Sequence, residues 1–315
     1  MILSVSRRTD IPNYYSDWFL NRIKEGFLYV RNPMNPQQIS EIDLSKEVVD
    51  CIVFWTKNPA PMMERLDELK GYHYYFQFTL SGYGRDMECN IPHKKKEMIP
   101  IFQRLSDKIG KEKVIWRYDP ILFNKDYMPE YHLKAFKQIA EALKGYTEQC
   151  VISFVDVYTK NKKAMETLDL YELEESKFLE FAKKLSDIAK ENGMEIGSCA
   201  ETMDLEVCGI KPSSCIDGKR IEKLIGCKID AGKDWNQRKA CGCIESVEVG
   251  TYDTCLNGCK YCYANFSQES VKNSRIKYNP LSPLLCGEVM EGDRVSPRNV
   301  KSIRNTQITI WDEKR

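Results

Sequence analysis

The sequence of 315 residues contains only three histidines, at positions 73, 93 and 132, and none of them lies near another candidate ligand in the sequence. A histidine-based hydrolase or a histidine-rich metal site therefore has little support. The glycine-rich motifs G-x-x-x-x-G-K-[ST] and G-x-G-x-x-G are also missing. Their absence disfavours an enzyme that acts on nucleoside triphosphates or dinucleotides.

Long apolar runs and an excess of one charge are lacking as well. No segment reaches the roughly 18 apolar residues of a membrane span, and the first residues, MILSVSRRTD, lack the apolar stretch of a signal peptide. These features predict a cytoplasmic protein with no membrane partner. The formal net charge of +1 provides no global attraction to nucleic acid, which makes nucleic acid an unfavoured partner.

Cysteine, in contrast, is abundant, with 13 residues in the chain. In the reducing cytosol these side chains remain thiols. Their number therefore favours metal or cluster ligation, or thiol chemistry, over a disulfide framework.

Short apolar segments rich in β-branched and aromatic residues predict strands buried on both faces of a parallel sheet. They lie at 2–6, 51–56, 74–80, 113–118, 150–156, 194–199 and 244–250. Intervening segments have helical spacing, most clearly at 129–144 and 172–192. This alternation predicts an α/β fold, with a full or partial (β/α) barrel over residues 1–266. Residues 199–243 read as a cysteine-rich insertion. Residues 267–315, with a weak strand signal from Thr306 to Trp311, are expected to form a C-terminal extension packed on the barrel.

Polar residues stand where several of the predicted strands end. They include Arg7, Arg8, Asp10, Lys57, Thr79, Arg117, Asp119 and Asp156. The carboxyl ends of parallel barrel strands converge on one open mouth. Any single member of this set could be a helix cap or a surface ion pair, but their recurrence favours a site for a small-molecule or peptide substrate.

The segment 254–265 carries Cys255, Cys259 and Cys262 in a C-x3-C-x2-C pattern directly after the last predicted strand. Structural zinc usually takes four ligands, and a complete four-iron four-sulfur cluster also takes four cysteines. A zinc ion or a four-iron cluster held by only three thiols would therefore keep one coordination site free for another ligand. The alternative, three unrelated buried cysteines, is disfavoured by the spacing, by Gly258 and by the flanking tyrosines.

This triplet resembles the C-x3-C-x-aromatic-C motif of the radical S-adenosylmethionine enzymes, with Tyr261 at the aromatic position. In ordinary members the motif follows the first strand, whereas here it follows the last. The resemblance therefore implies a circularly permuted barrel. Four further segments are similar to successive strands of the spore photoproduct lyase branch: SRRTD at 6–10, FWTKNP at 54–59, FTLS at 78–81 and WRYDPI at 116–121. Over nearly its whole length, the chain also resembles an uncharacterised bacterial family known only as a domain of unknown function.

The resemblance implies that Cys255, Cys259 and Cys262 hold a four-iron four-sulfur cluster whose open iron binds S-adenosylmethionine. It places Tyr261 and Tyr263 against the adenine. It also implies that the methionine carboxylate or the ribose is bound by residues at strand ends, namely Lys57, Thr79 and Arg117. A reductant such as flavodoxin or ferredoxin would supply the electron.

Five more cysteines crowd the insertion, where strand and helix signals are weak. They are Cys199, Cys208, Cys215, Cys241 and Cys243. A metal that organises the segment explains this density. We favour an auxiliary iron–sulfur cluster. Zinc is the alternative, although Cys241-Gly242-Cys243 is tighter than the usual zinc pair.

Two other functions remain open at this point. One is an iron–sulfur redox or sensor protein without S-adenosylmethionine chemistry, although a pure electron carrier needs no cofactor-sized mouth. The other is a nucleic-acid repair lyase, suggested by the lyase resemblance and by nine basic against five acidic residues in 270–315.

The charge distribution predicts weak binding to DNA. Affinity for nucleic acid comes mainly from lysine and arginine that neutralise phosphates, and here only the 270–315 segment and the lysine run at 94–96 offer them. Single-stranded and duplex DNA should therefore bind no tighter than about micromolar at physiological salt. Fluorescence anisotropy across a salt series measures this. Salt-dependent binding well below a micromolar would favour the repair lyase.

Overall fold

The chain forms an α/β fold in a computed structural model that describes residues 1–158 and 161–305. In chain order its strands are β1 (Ile2–Val5), β2 (Phe27–Arg31), β3 (Gln38–Asp43), β4 (Cys51–Thr56), β5 (Tyr74–Thr79), β6 (Val114–Ile121), β7 (Gln149–Phe154), β8 (Glu195–Cys199), β9 (Lys211–Ser213), β10 (Lys228–Ile229), β11 (Val247–Glu248), β12 (Arg294–Pro297) and β13 (Arg304–Asn305). The weak strand signal from Thr306 to Trp311 lies outside the described residues.

The helices include both segments with clear helical spacing. They are α1 (Ile11–Tyr14), α2 (Ser16–Glu25), α3 (Ala60–Met63), α4 (Ile99–Ile109), α5 (Pro129–Leu143), α6 (Lys162–Glu166), α7 (Glu175–Glu191), α8 (Gly218–Ile225) and α9 (Gln268–Ile276). The predicted helices at 129–144 and 172–192 are thus confirmed as α5 and α7. Within the described ranges, no helix has both the length and the apolar character that a bilayer crossing requires.

Eight parallel strands form one large sheet in the order β11-β1-β4-β5-β6-β7-β8-β9. Seven of them are the strands predicted from the sequence. The last of these in the chain, β11, pairs with the first, β1, through Leu3 opposite Val247 and Ser4 opposite Glu248. In the described part of the chain β11 and β9 are the two edges of the sheet, which is therefore open, and a closed barrel is not confirmed.

Strands β1, β4, β5, β6 and β7 of this sheet are largely buried on both faces, which accounts for their continuous apolar sequences. Side chains alternate along each strand. One set packs with helices α4, α5 and α7 in the main core and includes Leu3, Phe54, Phe76 and Trp116. The alternate set forms a second apolar cluster on the opposite face and includes Ile2, Val53, Tyr75, Ile115 and Val151.

The cysteine-rich insertion covers this second face. Ile216 and Ile221 of the insertion pack in the same cluster as the strand side chains on this face. The Tyr75 hydroxyl and the Gln77 amide both donate to the Cys215 carbonyl oxygen, at 2.6 and 2.8 Å. The insertion is therefore joined to the sheet by buried hydrogen bonds as well as by apolar contacts.

The segment after the cysteine triplet packs on the N-terminal part of the chain. Strand β12 pairs in parallel with β3, which pairs antiparallel with β2. The Trp18 indole, which is fully buried, donates to the Ser282 carbonyl oxygen at 2.9 Å. The three-stranded sheet was not predicted, because its strands are short and largely exposed or half-buried.

His132 on α5 is fully buried between strand and helix layers, and its neutral imidazole bridges two partners. Its Nδ1 lies 3.0 Å from the Tyr118 hydroxyl, and its Nε2 lies 2.9 Å from the Leu122 carbonyl oxygen. Burial lowers the pKa of His132 to about 4 from an ordinary value of 6.5. The unfolded chain therefore binds a proton at this residue in a pH range where the folded chain does not.

This difference predicts that acid weakens the fold through His132. As the pH falls from 6.5 to about 4, the free energy of unfolding should decrease by up to about 3 kcal/mol from this residue. Urea denaturation at a series of pH values measures the slope. His132→Gln removes the titrating group and should flatten the slope in this window. Equal slopes in the two proteins would contradict the assignment.

Candidate functional site

A cavity of about 690 Å³ opens at the carboxyl ends of the parallel strands. Its walls contain residues from the ends of β1, β4, β5, β6, β7 and β8 and from the loop after β11. Those predicted from the sequence are Arg7, Arg8, Asp10, Lys57, Thr79, Arg117, Asp119, Asp156, Tyr261 and Tyr263. The polar residues at the strand ends therefore converge on one cavity, as their recurrence predicted.

The three cysteines of the triplet all line this cavity. Burial raises the pKa of Cys259 to about 12, and burial together with the neighbouring thiols also raises the pKa of Cys255. The backbone N–H of Ala264 donates to the Cys262 sulfur at 3.3 Å. Three thiols on the wall of one cavity that are costly to ionise alone fit a metal cluster, because bound metal would supply the positive charge that stabilises thiolates.

The loop that carries the triplet is held by the buried carboxylate of Asp10. This carboxylate caps α1 at the Asn13 N–H (3.1 Å) and accepts hydrogen bonds from the Thr56 hydroxyl (2.7 Å) and the Lys57 N–H (2.7 Å). It also accepts a hydrogen bond from the side chain of Asn257, at 3.1 Å. Burial raises the pKa of Asp10 despite these four donors. Asp10 thus fixes the loop against the ends of β1 and β4.

A second segment, residues 84–91, clamps the other side of the triplet loop. The Asn90 side chain donates to the Leu256 carbonyl oxygen at 2.7 Å, and Glu88 forms an antiparallel bridge with Cys259. Gly258 adopts a φ of +67°, and a Cβ there would clash with the Cys89 sulfur. A glycine is therefore required at this turn of the loop.

Beneath the triplet lies a buried charge cluster centred on Glu88. Its carboxylate accepts hydrogen bonds from Lys57 (2.7 Å), from Ser81 (2.9 Å), from Lys94 and from the Tyr261 hydroxyl. Burial alone would raise the pKa of Glu88, but the two ammonium groups lower it to about 2. Sequence reasoning missed Glu88, since it lies in a loop without a recognisable motif.

The other residues predicted to bind the cofactor lie around the same cavity. Arg117 on β6 is buried and paired with Asp119, which also lies 3.5 Å from the Thr79 hydroxyl. Tyr261 is buried, whereas Tyr263 is 43 % exposed and donates its hydroxyl to the Arg7 carbonyl oxygen at 2.7 Å. The structure therefore brings all five predicted cofactor residues to one cavity.

Four of the five insertion cysteines also meet at the cavity wall. Cys199, Cys215, Cys241 and Cys243 line it, and the sulfurs of Cys199 and Cys215 are 3.2 Å apart. Cys208 is set apart, because its sulfur contacts the Leu179 carbonyl oxygen in the main core. Within the described ranges, no three or more histidine, cysteine, aspartate or glutamate side chains are arranged to ligate a single metal ion.

The family relationship follows from nearly the whole chain. The model of a family described as a domain of unknown function, DUF1848, matches residues 2–264. The chain belongs to this family. The resemblance to an uncharacterised domain family is thereby confirmed, and the matched range contains both groups of cysteines. No curated protein matches the chain.

The position of Asp10 in this DUF1848 domain predicts a large effect of its removal. Asp10→Ala leaves several buried donors without an acceptor and should lower the free energy of unfolding by about 3 kcal/mol. Asp17→Ala is the matched control. Its carboxylate is 66 % exposed in an ion pair with Arg65, so its loss should cost under about 1 kcal/mol. Urea denaturation compares the two variants, and similar losses would show that Asp10 is not a structural hub.

Proposed function

We propose that the protein is a radical S-adenosylmethionine enzyme. The observation that carries the proposal is the position of the C-x3-C-x2-C triplet: three half-buried thiols on the wall of a cavity of about 690 Å³, at the carboxyl ends of the strands of the parallel sheet. Enzymes built on parallel sheets place their active sites at this end. The volume lies within the usual range of about 300–1,000 Å³ for small-molecule sites.

The strand order supports the circular permutation that this proposal requires. The triplet loop follows β11, which is late in the chain, but β11 pairs with β1 at one edge of the sheet. The loop therefore lies next to the segment after β1, where a motif carried by a first strand would lie. In this proposal the sheet is a permuted partial (β/α) barrel that the insertion covers on its inner face.

When bound, a four-iron four-sulfur cluster at Cys255, Cys259 and Cys262 would supply the electron that cleaves S-adenosylmethionine and yields a 5'-deoxyadenosyl radical. The protein provides the binding surface. Tyr261 and Tyr263 flank the third cysteine and offer aromatic surface for the adenine. An electron donor of the flavodoxin or ferredoxin class would reduce the cluster.

The charge cluster beneath the triplet suits the carboxylate of the cofactor. Lys57, which lines the cavity, and Lys94, which does not, share the single carboxylate of Glu88, so this half-buried cluster has one more ammonium group than carboxylate. Arg117 and Thr79 line the same cavity. In a medium of low dielectric, one uncompensated charge attracts a carboxylate strongly. The residues present therefore fit both the cluster and S-adenosylmethionine.

The proposal predicts that Cys259→Ala abolishes S-adenosylmethionine cleavage and lowers the iron content by about four per chain. The fold should survive, because the triplet loop lies outside the two apolar clusters of the sheet. Cys227→Ala is the matched control, since Cys227 is half-buried and does not line the cavity.

The measurement is anaerobic reconstitution with iron and sulfide, an iron count, and chromatography of 5'-deoxyadenosine after dithionite reduction. Full cleavage in Cys259→Ala would overturn the assignment of the triplet. Wild-type protein that holds iron but forms no 5'-deoxyadenosine would instead indicate the redox or sensor protein.

A further inference from the structure

Four thiols from three separate segments of the chain line the same cavity as the triplet. Cys199 ends β8, Cys215 precedes α8, and Cys241 and Cys243 lie in the loop before β11. All four are buried and line the cavity. The Ile216 N–H donates to the Cys243 sulfur at 3.3 Å, next to the contact of 3.2 Å between the sulfurs of Cys199 and Cys215.

Two arginines face this group of thiols. The Arg117 guanidinium donates to the Cys215 sulfur at 2.9 Å. Arg7 carries a buried guanidinium nitrogen, Nη2, that has no hydrogen-bond partner among the described residues. Arg7 lines the same cavity, and the charges nearest to it are Glu248 first and then the thiols of Cys243 and Cys215. A buried donor without a partner costs free energy. A hydrogen bond from a guanidinium to sulfur is stronger when the sulfur is a thiolate or a ligand of a negatively charged cluster than when it is a neutral thiol.

We propose that Cys199, Cys215, Cys241 and Cys243 hold a second iron–sulfur cluster, to which Arg117 donates a hydrogen bond and beside which Arg7 lies. This cluster would have four cysteine ligands and would need none from the triplet, although both groups line the same cavity. A substrate bound in this cavity would therefore have access to both centres. Cys208 is not a ligand.

One feature favours a cluster over zinc at this position. Hydrogen bonds to ligand sulfurs set the reduction potential of iron–sulfur clusters, and Arg117 makes such a bond. A redox-inactive zinc ion has no potential to adjust.

The test isolates the second centre from the proposed function. In the variant Cys255→Ala/Cys259→Ala/Cys262→Ala, reconstitution should leave about four irons per chain, with sulfide in equal amount. Adding Cys241→Ala and Cys243→Ala should remove this iron. Adding Cys208→Ala instead is the matched control and should retain it. Circular dichroism confirms that each variant is folded, and the triplet variant alone carries the test if the others unfold.

A second readout concerns the arginine. In the triplet variant, Arg117→Gln removes a charged donor to a ligand sulfur and should shift the reduction potential of the remaining cluster to a more negative value. Redox titration followed by electron paramagnetic resonance measures the shift. The proposal is overturned if the triplet variant binds no iron, binds one zinc per chain instead, or loses its iron through Cys208→Ala. A negative result of any of these kinds leaves the triplet assignment untouched, because the triplet is absent from all of these proteins.

Discussion

The pairing of β11 with β1 is the constraint on which the geometry of the cavity depends. Only two residue pairs form it, so the backbone ladder alone is short. Glu248 reinforces the pairing, because its carboxylate accepts hydrogen bonds from the Ser4 hydroxyl at 2.8 Å and the Arg7 N–H at 3.1 Å. These bonds attach the strand before the triplet to the strand and turn that begin the chain.

Around that pairing, the triplet loop is held by buried carboxylates as well as by an apolar cluster that includes Tyr261 and Cys259. Asp10 fixes one side of the loop, and Glu88 with its two lysines lies under the other. Such groups lose hydration on burial and regain free energy only when each finds a partner. The arrangement therefore favours one loop conformation strongly, since any displacement leaves a buried charge unpaired. A loop that must present three thiols in fixed positions benefits from that rigidity.

The sequence was informative where burial dictates residue type. Strands β1, β4, β5, β6 and β7 are largely buried on both faces, so their apolar segments could be located in the sequence. Strand β9, with the sequence Lys-Pro-Ser, carries no such signal, and hydrogen bonding with β8 alone defines it. An open sheet could not be distinguished from a closed barrel, because local patterns do not report which edges meet.

The candidate site was predictable to a similar extent. The spacing of the three cysteines identified the triplet. The polar residues of the cavity wall were identified because each follows a predicted strand. Glu88 and the unpaired nitrogen of Arg7 could not be found, because partners distant in sequence define both. Cys208 looked equivalent to its neighbours in the sequence, and only the packing of β8 and α7 separates its thiol from the others.

The insertion that covers the second face of the sheet also supplies the four cysteines at the cavity wall, so one segment of the chain has both roles. If those thiols hold a metal centre, a chain that lacks the metal also has a less firmly held cover over an apolar surface. Exposed apolar surface is a target of cellular quality control. Loss of the metal would then lower the stability of the protein as well as its chemical activity.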